Sequence, residues 1–192
     1  MDYCNRFSEN VALPVCLITV KSVSRVNSMT VAWSTPLSSN PPLFGFSIRK
    51  NRYTYQLILK EEEFTVSFLS LEKSDLAVKL GRISGREGDK VSAISLKLKD
   101  SEIVQSPYVE EAYFSMECKL ENIFETGDHD FVVGKVLAVH PSKNILKESQ
   151  PAIYLGNDTF TTIDLSQVKK FETKEIVASI RNSLSNRGVQ ND

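Results

Sequence analysis

The chain has 192 residues, of which 41% are hydrophobic. This is enough apolar material for the core of one ordinary domain, and it excludes a disordered tail protein. The 23 Lys and Arg against 24 Asp and Glu give a net charge of −1, so overall charge favours neither a nucleic-acid partner nor an acidic shell. The charge is unevenly spread, because residues 10–60, here called the acid-free segment, contain six Lys or Arg and no Asp or Glu.

Targeting and membrane segments are not expected. The first ten residues lack the basic start and apolar stretch of a signal peptide, and no apolar run approaches the roughly 18 residues of a membrane span. The three cysteines, Cys4, Cys16 and Cys118, are far apart and form no CxxC pair, which is typical of small buried or surface thiols in a reducing compartment. With His129 and His140 as the only histidines, no metal site is expected. The sequence predicts a cytoplasmic protein.

The first half of the chain alternates short apolar runs with turn residues. Strands are predicted at residues 15–20, 30–35, 43–49 and 64–69. The spacing of Tyr53, Leu57 and Lys60 predicts a helix over residues 53–60. Ser74 is expected to cap a second helix that ends near Gly81.

The second half continues mainly in strands. They are predicted at residues 95–98, 112–124 and 131–139, with the turn Thr126-Gly127-Asp128 joining the last two as a hairpin. An amphipathic helix is predicted over residues 175–184, before a frayed tail at 185–192. Many short strands with few, scattered helices favour a mainly β fold, a closed antiparallel barrel with helical excursions, in one domain spanning residues 1–192.

The sequence SIRKNRYT at residues 47–54 is a candidate phosphate site. It combines a strand end, three cations, hydroxyl groups and a predicted helix start, and a phosphate dianion needs such N–H and O–H donors together with positive charge. Arg49 can bind two phosphate oxygens, and Thr54 can donate from the start of the helix. The alternative is a solvated basic turn.

Three further segments carry candidate chemistry. NSMTVAWSTP, residues 27–36, offers small residues and hydroxyls along which a planar ring can lie, or else Met29, Val31 and Trp33 are core residues of one strand. KLGRISGREGDK, residues 79–90, is either a surface loop or a mobile lid over a site. His129 is either a structural turn residue or a donor to a substrate.

Several common catalytic patterns are missing from the sequence. No GxGxxG follows a predicted strand, and neither GxxxxGK[ST], GxSxG nor HExxH is present. The sequence therefore does not favour a Rossmann site, a P-loop site or these hydrolase chemistries.

Four motifs in order resemble the flavin reductase-like family of FMN-binding split barrels, and within it the flavoredoxins. They are NSMTVAWSTP, SIRKNRYTY, SGREGDKV and GDHDFVVGKV, and the resemblance covers residues 14–160. It implies a six-stranded antiparallel Greek-key split barrel. It also implies a homodimer with FMN held noncovalently near the subunit interface.

By position, the resemblance also implies a set of site residues. Those that line the isoalloxazine and ribityl chain are Asn27, Met29, Thr30, Val31 and Ala32. Those that surround the phosphate are Ser47, Ile48, Arg49, Lys50, Tyr53 and Thr54. Lys90 approaches the flavin from its loop, within one subunit or across the dimer. His129 stands at the position near the nicotinamide in flavin reductases and is the candidate contact to the electron donor. The chain departs from the family at Asn157 and Phe160, where glycine and an aromatic hydroxyl are common.

The implied function is an FMN-dependent oxidoreductase or electron carrier of flavoredoxin type, which passes hydride or electrons through bound FMN. Its donor would be NAD(P)H or a redox protein, and no nucleic acid or membrane is expected as a partner. One alternative is an NAD(P)H:flavin reductase that supplies reduced FMN to a partner enzyme. Another is a non-catalytic module that binds flavin or haem.

An acid-free segment suits an FMN site because carboxylates would repel the phosphate and the reduced ring. Lys21, Arg25 and Lys60 are expected to be ordinary surface charges.

Overall fold

The computed structural model of the chain describes residue 8 and residues 11–141 and 150–188, with side chains described up to residue 184. Cys4 and nearly all of the N-terminal segment examined for a signal peptide lie outside the described residues, as do residues 189–192 of the predicted frayed tail. Within the described part, no helix is long and apolar enough to cross a membrane.

Antiparallel strands are the most abundant secondary structure in the described residues. Seven of them make the main sheet, in the order β3-β2-β6-β9-β10-β5-β4, and β1, β11 and β12 make a smaller sheet. The strands are β1 (Leu13–Pro14), β2 (Cys16–Lys21), β3 (Val26–Val31), β4 (Ser34–Ser39), β5 (Pro42–Ile48), β6 (Glu63–Phe68), β7 (Leu98–Lys99), β8 (Tyr108–Val109), β9 (Phe114–Thr126), β10 (His129–Pro141), β11 (Ile153–Gly156) and β12 (Thr159–Thr161).

The main sheet closes on itself at Ala32 and Trp33. A single strand was predicted over residues 30–35, but the chain breaks there into β3 and β4, which lie at opposite ends of the strand order. Because only two residues join these edge strands, the sheet has to curl until its edges meet. The Ser47 N–H donates to the Trp33 carbonyl (2.9 Å) and fastens β5 to this connection.

The described part of the chain also contains four α-helices: α1 (Tyr53–Glu61), α2 (Ser74–Arg82), α3 (Lys90–Ala93) and α4 (Thr173–Gly188). The bounds of α1 match the prediction closely. Ser74 is the first helical residue rather than the cap, because the 3-10 helix Leu71–Lys73 runs directly into α2. Helix α4 extends the predicted helix at both ends, and fraying from residue 185 stays a prediction.

The short strand predicted at residues 95–98 is also displaced, since Ser95 has a left-handed φ of 51° and pairing begins at Leu98. The hairpin prediction is confirmed. Strands β9 and β10 pair from Thr126 and His129, and Gly127 and Asp128 form the turn between them. Gly127 has a φ of +88°, a conformation that favours glycine.

Strand β2 separates two hydrophobic clusters. Cys16 and Ile18 point into the barrel, where the rings of Phe46 and Phe64 meet edge to face at 5.4 Å. Leu17 on the opposite face packs against the cluster that anchors α2. Both faces of β2 are therefore buried, which explains its unbroken apolar run.

Cys16 and Cys118 lie in the barrel core as free thiols, and burial raises the pKa of each to about 12. Thiols in this state are poor nucleophiles. Within residues 11–141 and 150–188, no group of three or more His, Cys, Asp or Glu side chains is arranged to hold a metal ion.

Glu117 is a fully buried carboxylate in β9 that holds the segment before β8. It accepts hydrogen bonds from the backbone N–H groups of Glu102 (2.7 Å), Ile103 (2.8 Å) and Val104 (3.0 Å), and it lies 2.6 Å from His140 Nε2. Burial alone would raise the pKa of this carboxyl, but the amide donors and His140 outweigh burial and hold the pKa below its usual value. The ionised form is therefore the one that the fold stabilises.

Replacement of Glu117 tests this anchor. At pH 7 we expect Glu117→Gln to lower the free energy of unfolding by about 2 kcal/mol, because an amide accepts these hydrogen bonds less strongly than a carboxylate. A group with a depressed pKa in the folded state stabilises the fold at neutral pH and loses that contribution as the pH falls through that pKa. Urea unfolding followed by circular dichroism should thus show the difference from wild type narrowing toward acid pH. Glu121→Gln, at an exposed position of the same strand, is the control; an equal loss at every pH would contradict the assignment.

Candidate functional site

Three cavities meet around Gly81. The helix cavity, about 240 Å³, lies between the start of α1 and the end of α2. The strand cavity, about 300 Å³, follows β3 and the ends of β5 and β10. The hairpin cavity, about 190 Å³, lies between α2 and the β11–β12 hairpin. Because Gly81 lines all three, we treat them as one groove.

The end of α2 lies directly against β3 at this point. Thr30 Oγ1 donates to the Ala77 carbonyl (2.6 Å). A Cβ atom at position 81 would lie 3.2 Å from both Cβ and Oγ1 of Thr30, which is tighter than ordinary packing. Glycine thus allows the close approach of helix and strand that shapes the groove.

The strand cavity brings together most of the residues expected along a planar ring, with residues from the predicted phosphate segment and His129. The expected residues that line it are Met29, Thr30, Val31, Ala32, Ser47, Ile48, Arg49 and His129. These come from β3, its connection to β4, and the ends of β5 and β10, so the cavity forms where the barrel closes.

The helix cavity takes the other expected residues Tyr53, Thr54 and Lys90, together with Arg52 and Arg86. Helix α1 begins at this cavity, and its N-cap residue Arg52 makes no side-chain capping bond to the first-turn amides. Amide dipoles and arginine charge at one place favour an anion.

Two expected site residues, Asn27 and Lys50, line none of the three cavities. Asn27 is buried behind the helix cavity, where its Nδ2 donates to Thr54 Oγ1 (2.8 Å). Lys50 is held by Glu125 and lies 3.4 Å from Asp130 Oδ1, and the hydrogen bond to Glu125 raises the pKa of the lysine. The charge of Lys50 is therefore already matched by carboxylates.

Arg52 is the cation that the helix and strand cavities share. Among the described residues, its guanidinium has no ion pair, whereas Arg49 lies 3.2 Å from Asp128 Oδ2.

Arg25, expected to be an ordinary surface charge, instead donates to the Gly85 carbonyl and stands 5.2 Å from the Tyr53 ring. That expectation is wrong, because Arg25 packs behind the groove.

His129 and Trp33 form one wall of the strand cavity. Their ring centroids are 4.9 Å apart, and His129 Nδ1 lies 2.7 Å from Asp128 Oδ1. Trp33 is 37% exposed, so the alternative that made it a core residue is wrong for this side chain. That alternative holds for Val31, which is buried, whereas Met29 is half-buried at the groove.

The segment predicted as a loop or lid begins inside α2 and becomes irregular only after Arg82. Lys90, at its end, is buried, and its Nζ donates to the carbonyls of Leu80 (2.6 Å) and Ile83 (2.8 Å). Burial, and to a smaller degree the charge of Arg52, lowers the pKa of Lys90 to about 8. Lys90 therefore fastens residues 83–89 over the helix cavity.

Arg52 belongs to the candidate phosphate segment 47–54, although the resemblance did not assign it a role. Other residues of the groove were not among the expected ones: Trp33, Gly81, Arg86 and Tyr154. Gly81 and Arg86 belong to segment 79–90, whose glycines and charges had already suggested a loop or a lid over a site. Tyr154 comes from β11, which pairs with β1 in the smaller sheet, and its side chain lines the strand cavity. No local pattern around Tyr154 indicates that it reaches the groove.

An antiparallel β-barrel with a ligand-sized groove at its closure point is thus the class of protein that the fold and site define. The flavin reductase-like domain family matches residues 8–163. The chain belongs to this family.

Individual relatives agree with this assignment. An uncharacterized protein of Archaeoglobus fulgidus is 35% identical over 136 residues, which are 71% of this chain and 76% of the relative. The crystal structure of an FMN-binding protein from Thermus thermophilus with bound 1-cyclohex-2-enone is 32% identical, with a TM-score of 0.77 over 85% of this chain and 93% of that one. Flavoredoxin of Desulfovibrio vulgaris (Miyazaki F) is 26% identical, with a TM-score of 0.74 over 85% and 93%.

These structures confirm the expected fold class, mainly β of the split-barrel type. The main sheet differs from the expected six strands by one, since β3 and β4 are separate strands in the described residues.

The role of Lys90 can be tested by limited proteolysis. We expect Lys90→Met to increase the rate of tryptic cleavage after Arg82 and Arg86 by about tenfold, because two charge-assisted hydrogen bonds that hold the segment are lost. Cleavage sites are mapped by mass spectrometry under native conditions. Lys79→Met, which removes an exposed lysine paired with Asp75, is the control and should leave the rate at these sites unchanged. Unchanged cleavage in Lys90→Met would show that other contacts hold the segment.

Proposed function

We propose that this protein is an FMN-binding oxidoreductase of flavoredoxin type. The observation that carries the proposal is the continuity of two unlike cavities. The strand cavity runs along backbone and small residues of β3, and it opens into the helix cavity, which is lined by Arg52, Arg86 and the start of α1. FMN has two matching parts, a planar ring that suits the strand cavity and a phosphate, joined to the ring by a short chain, that suits the helix cavity.

The hydrogen-bond donors and positive charge of the groove suit the chemical groups of FMN. The phosphate would be held by Arg52, Thr54 and the amides at the start of α1, with Tyr53 beside them. The ring would lie along Met29 to Ala32. When bound, FMN would accept and release hydride or electrons, and the protein would orient it and tune its potential.

The acid-free segment supports the same proposal. It contributes β3, the end of β5 and the start of α1, so most of the residues that line the strand cavity come from chain without carboxylates. Carboxylates of the β9–β10 hairpin pair with Arg49 and Lys50, and Asp158 of the hairpin cavity pairs with Arg82. None of these carboxylates pairs with Arg52. Arg52 is thereby left for an anionic ligand.

Phosphate recognition at Arg52 is tested with two ligands that differ only in the phosphate. We expect Arg52→Ala to weaken FMN binding by at least about tenfold and riboflavin binding by less than about twofold, since a charge-assisted hydrogen bond to phosphate is lost. Binding is measured by quenching of flavin fluorescence. Lys50→Ala is the matched control and should change neither affinity, because its ammonium already pairs with Glu125. Equal losses for both ligands would place the phosphate elsewhere.

A second candidate function is an NAD(P)H:flavin reductase. It is favoured by His129, whose ring lines the strand cavity beside the proposed ring position, and by the family to which the chain belongs. A carrier would instead receive electrons from another protein.

A visible spectrum recorded before and after anaerobic addition of NADH or NADPH separates these functions. We expect the purified protein, supplied with FMN, to show the absorbance of bound flavin. Rapid bleaching by a pyridine nucleotide would identify a reductase, and bleaching only by a reduced redox protein would identify a carrier. Tightly bound flavin that no donor reduces would indicate a binding module, and failure to take up FMN would exclude all three functions.

A further inference from the structure

Asp128 lies in the turn between β9 and β10, and its two carboxylate oxygens face two different residues of the groove. Oδ1 lies 2.7 Å from His129 Nδ1, and Oδ2 lies 3.2 Å from Arg49 Nη2. The hydrogen bond to His129, with a smaller contribution from the charge of Arg49, outweighs desolvation and holds the pKa of Asp128 below its usual value. Asp128 is therefore an acceptor at both contacts.

An ionised carboxylate has no proton to give, so the His129 Nδ1 atom has to be the donor in their hydrogen bond. A neutral imidazole carries one ring proton. With that proton on Nδ1, the lone pair is on Nε2, the ring nitrogen that remains for a ligand in the strand cavity. Trp33 restricts the imidazole from the side, since the two ring centroids are 4.9 Å apart.

We propose that Asp128 is a positioning residue that holds His129 in the tautomer whose Nε2 accepts a hydrogen bond, and that this selects an electron donor bearing a primary carboxamide N–H, as a reduced nicotinamide does. The inference rests on the proposed function, in its reductase form. It adds to that function a residue and a direction for the hydrogen bond: the ligand donates and the histidine accepts.

The direction of this hydrogen bond can be tested with two donors. The carboxamide of NADH has an N–H group, whereas reduced acetylpyridine adenine dinucleotide has a methyl ketone there, which offers a carbonyl but no N–H. The two differ in intrinsic reactivity, so the quantity compared is the ratio of their apparent dissociation constants, in wild type and in variants. FMN-loaded protein is reduced anaerobically in a stopped-flow instrument at pH 8.

In Asp128→Asn, the side-chain amide can either accept a hydrogen bond from Nδ1 or donate one to it, so the ring proton is no longer fixed on Nδ1. We expect the selectivity for NADH over the analogue to fall by about tenfold, which is the size of one hydrogen bond in binding. Asp128→Ala removes the partner altogether and should lose most of the same selectivity. Asp75→Asn, at an exposed position on α2, is the control and should keep the wild-type ratio.

Affinity for FMN is measured in parallel, because Asp128 also contacts Arg49. Unchanged FMN affinity with lost selectivity supports the positioning role. Equal selectivity in wild type and both Asp128 variants would overturn it while leaving the reductase function intact. Loss of FMN affinity without loss of selectivity would show that Asp128 acts through Arg49, and would also overturn it. If FMN-loaded wild type is reduced by neither nucleotide, the reductase function fails and this inference fails with it.

Discussion

The groove depends on the contact between the end of α2 and strand β3. Leu76 and Leu80 bury one side of α2 in the cluster beneath β2 and so fix the position of the helix. Gly81 then meets Thr30 with no side chain between them, and the hydrogen bond from Thr30 to the Ala77 carbonyl fastens the two elements. All three cavities include Gly81 at this contact, so core packing sets the point where they meet.

The positive and negative side chains around the groove come from distant parts of the chain. The acid-free segment supplies the cations, and the β9–β10 hairpin, more than 60 residues further along, supplies carboxylates at Glu125, Asp128 and Asp130. Asp130 is buried, and it accepts a hydrogen bond from Tyr55 on α1. The hairpin therefore neutralises part of the positive charge of the acid-free segment, at Arg49 and Lys50, and forms no ion pair with Arg52 of the helix cavity. The net charge of −1 conceals this separation of cations from carboxylates, and composition alone does not show which of the charges meet in the fold.

Local patterns predicted the parts of the fold that local physics determines. Alternation and turn residues located the long strands, and the spacing around Leu57 located α1, because both record which side chains face the core. The break at Ala32 and Trp33 was missed, since it follows from barrel closure. The motifs located most of the groove. Lys90 lines the helix cavity, and the motif gave no sign that it also fastens its own segment. Tyr154 was not expected, because its position depends on the pairing of β11 with the distant strand β1.

Barrel closure at Ala32 and Trp33 has a consequence for folding. The strand cavity takes one wall from β3, at one end of the strand order, and others from β5 and β10 near the opposite end. It therefore does not exist until every intervening strand has been placed, and a partly folded chain has no such site. A ligand that occupies it binds only the closed barrel, and by mass action it stabilises the entire sheet, including strands that it never touches.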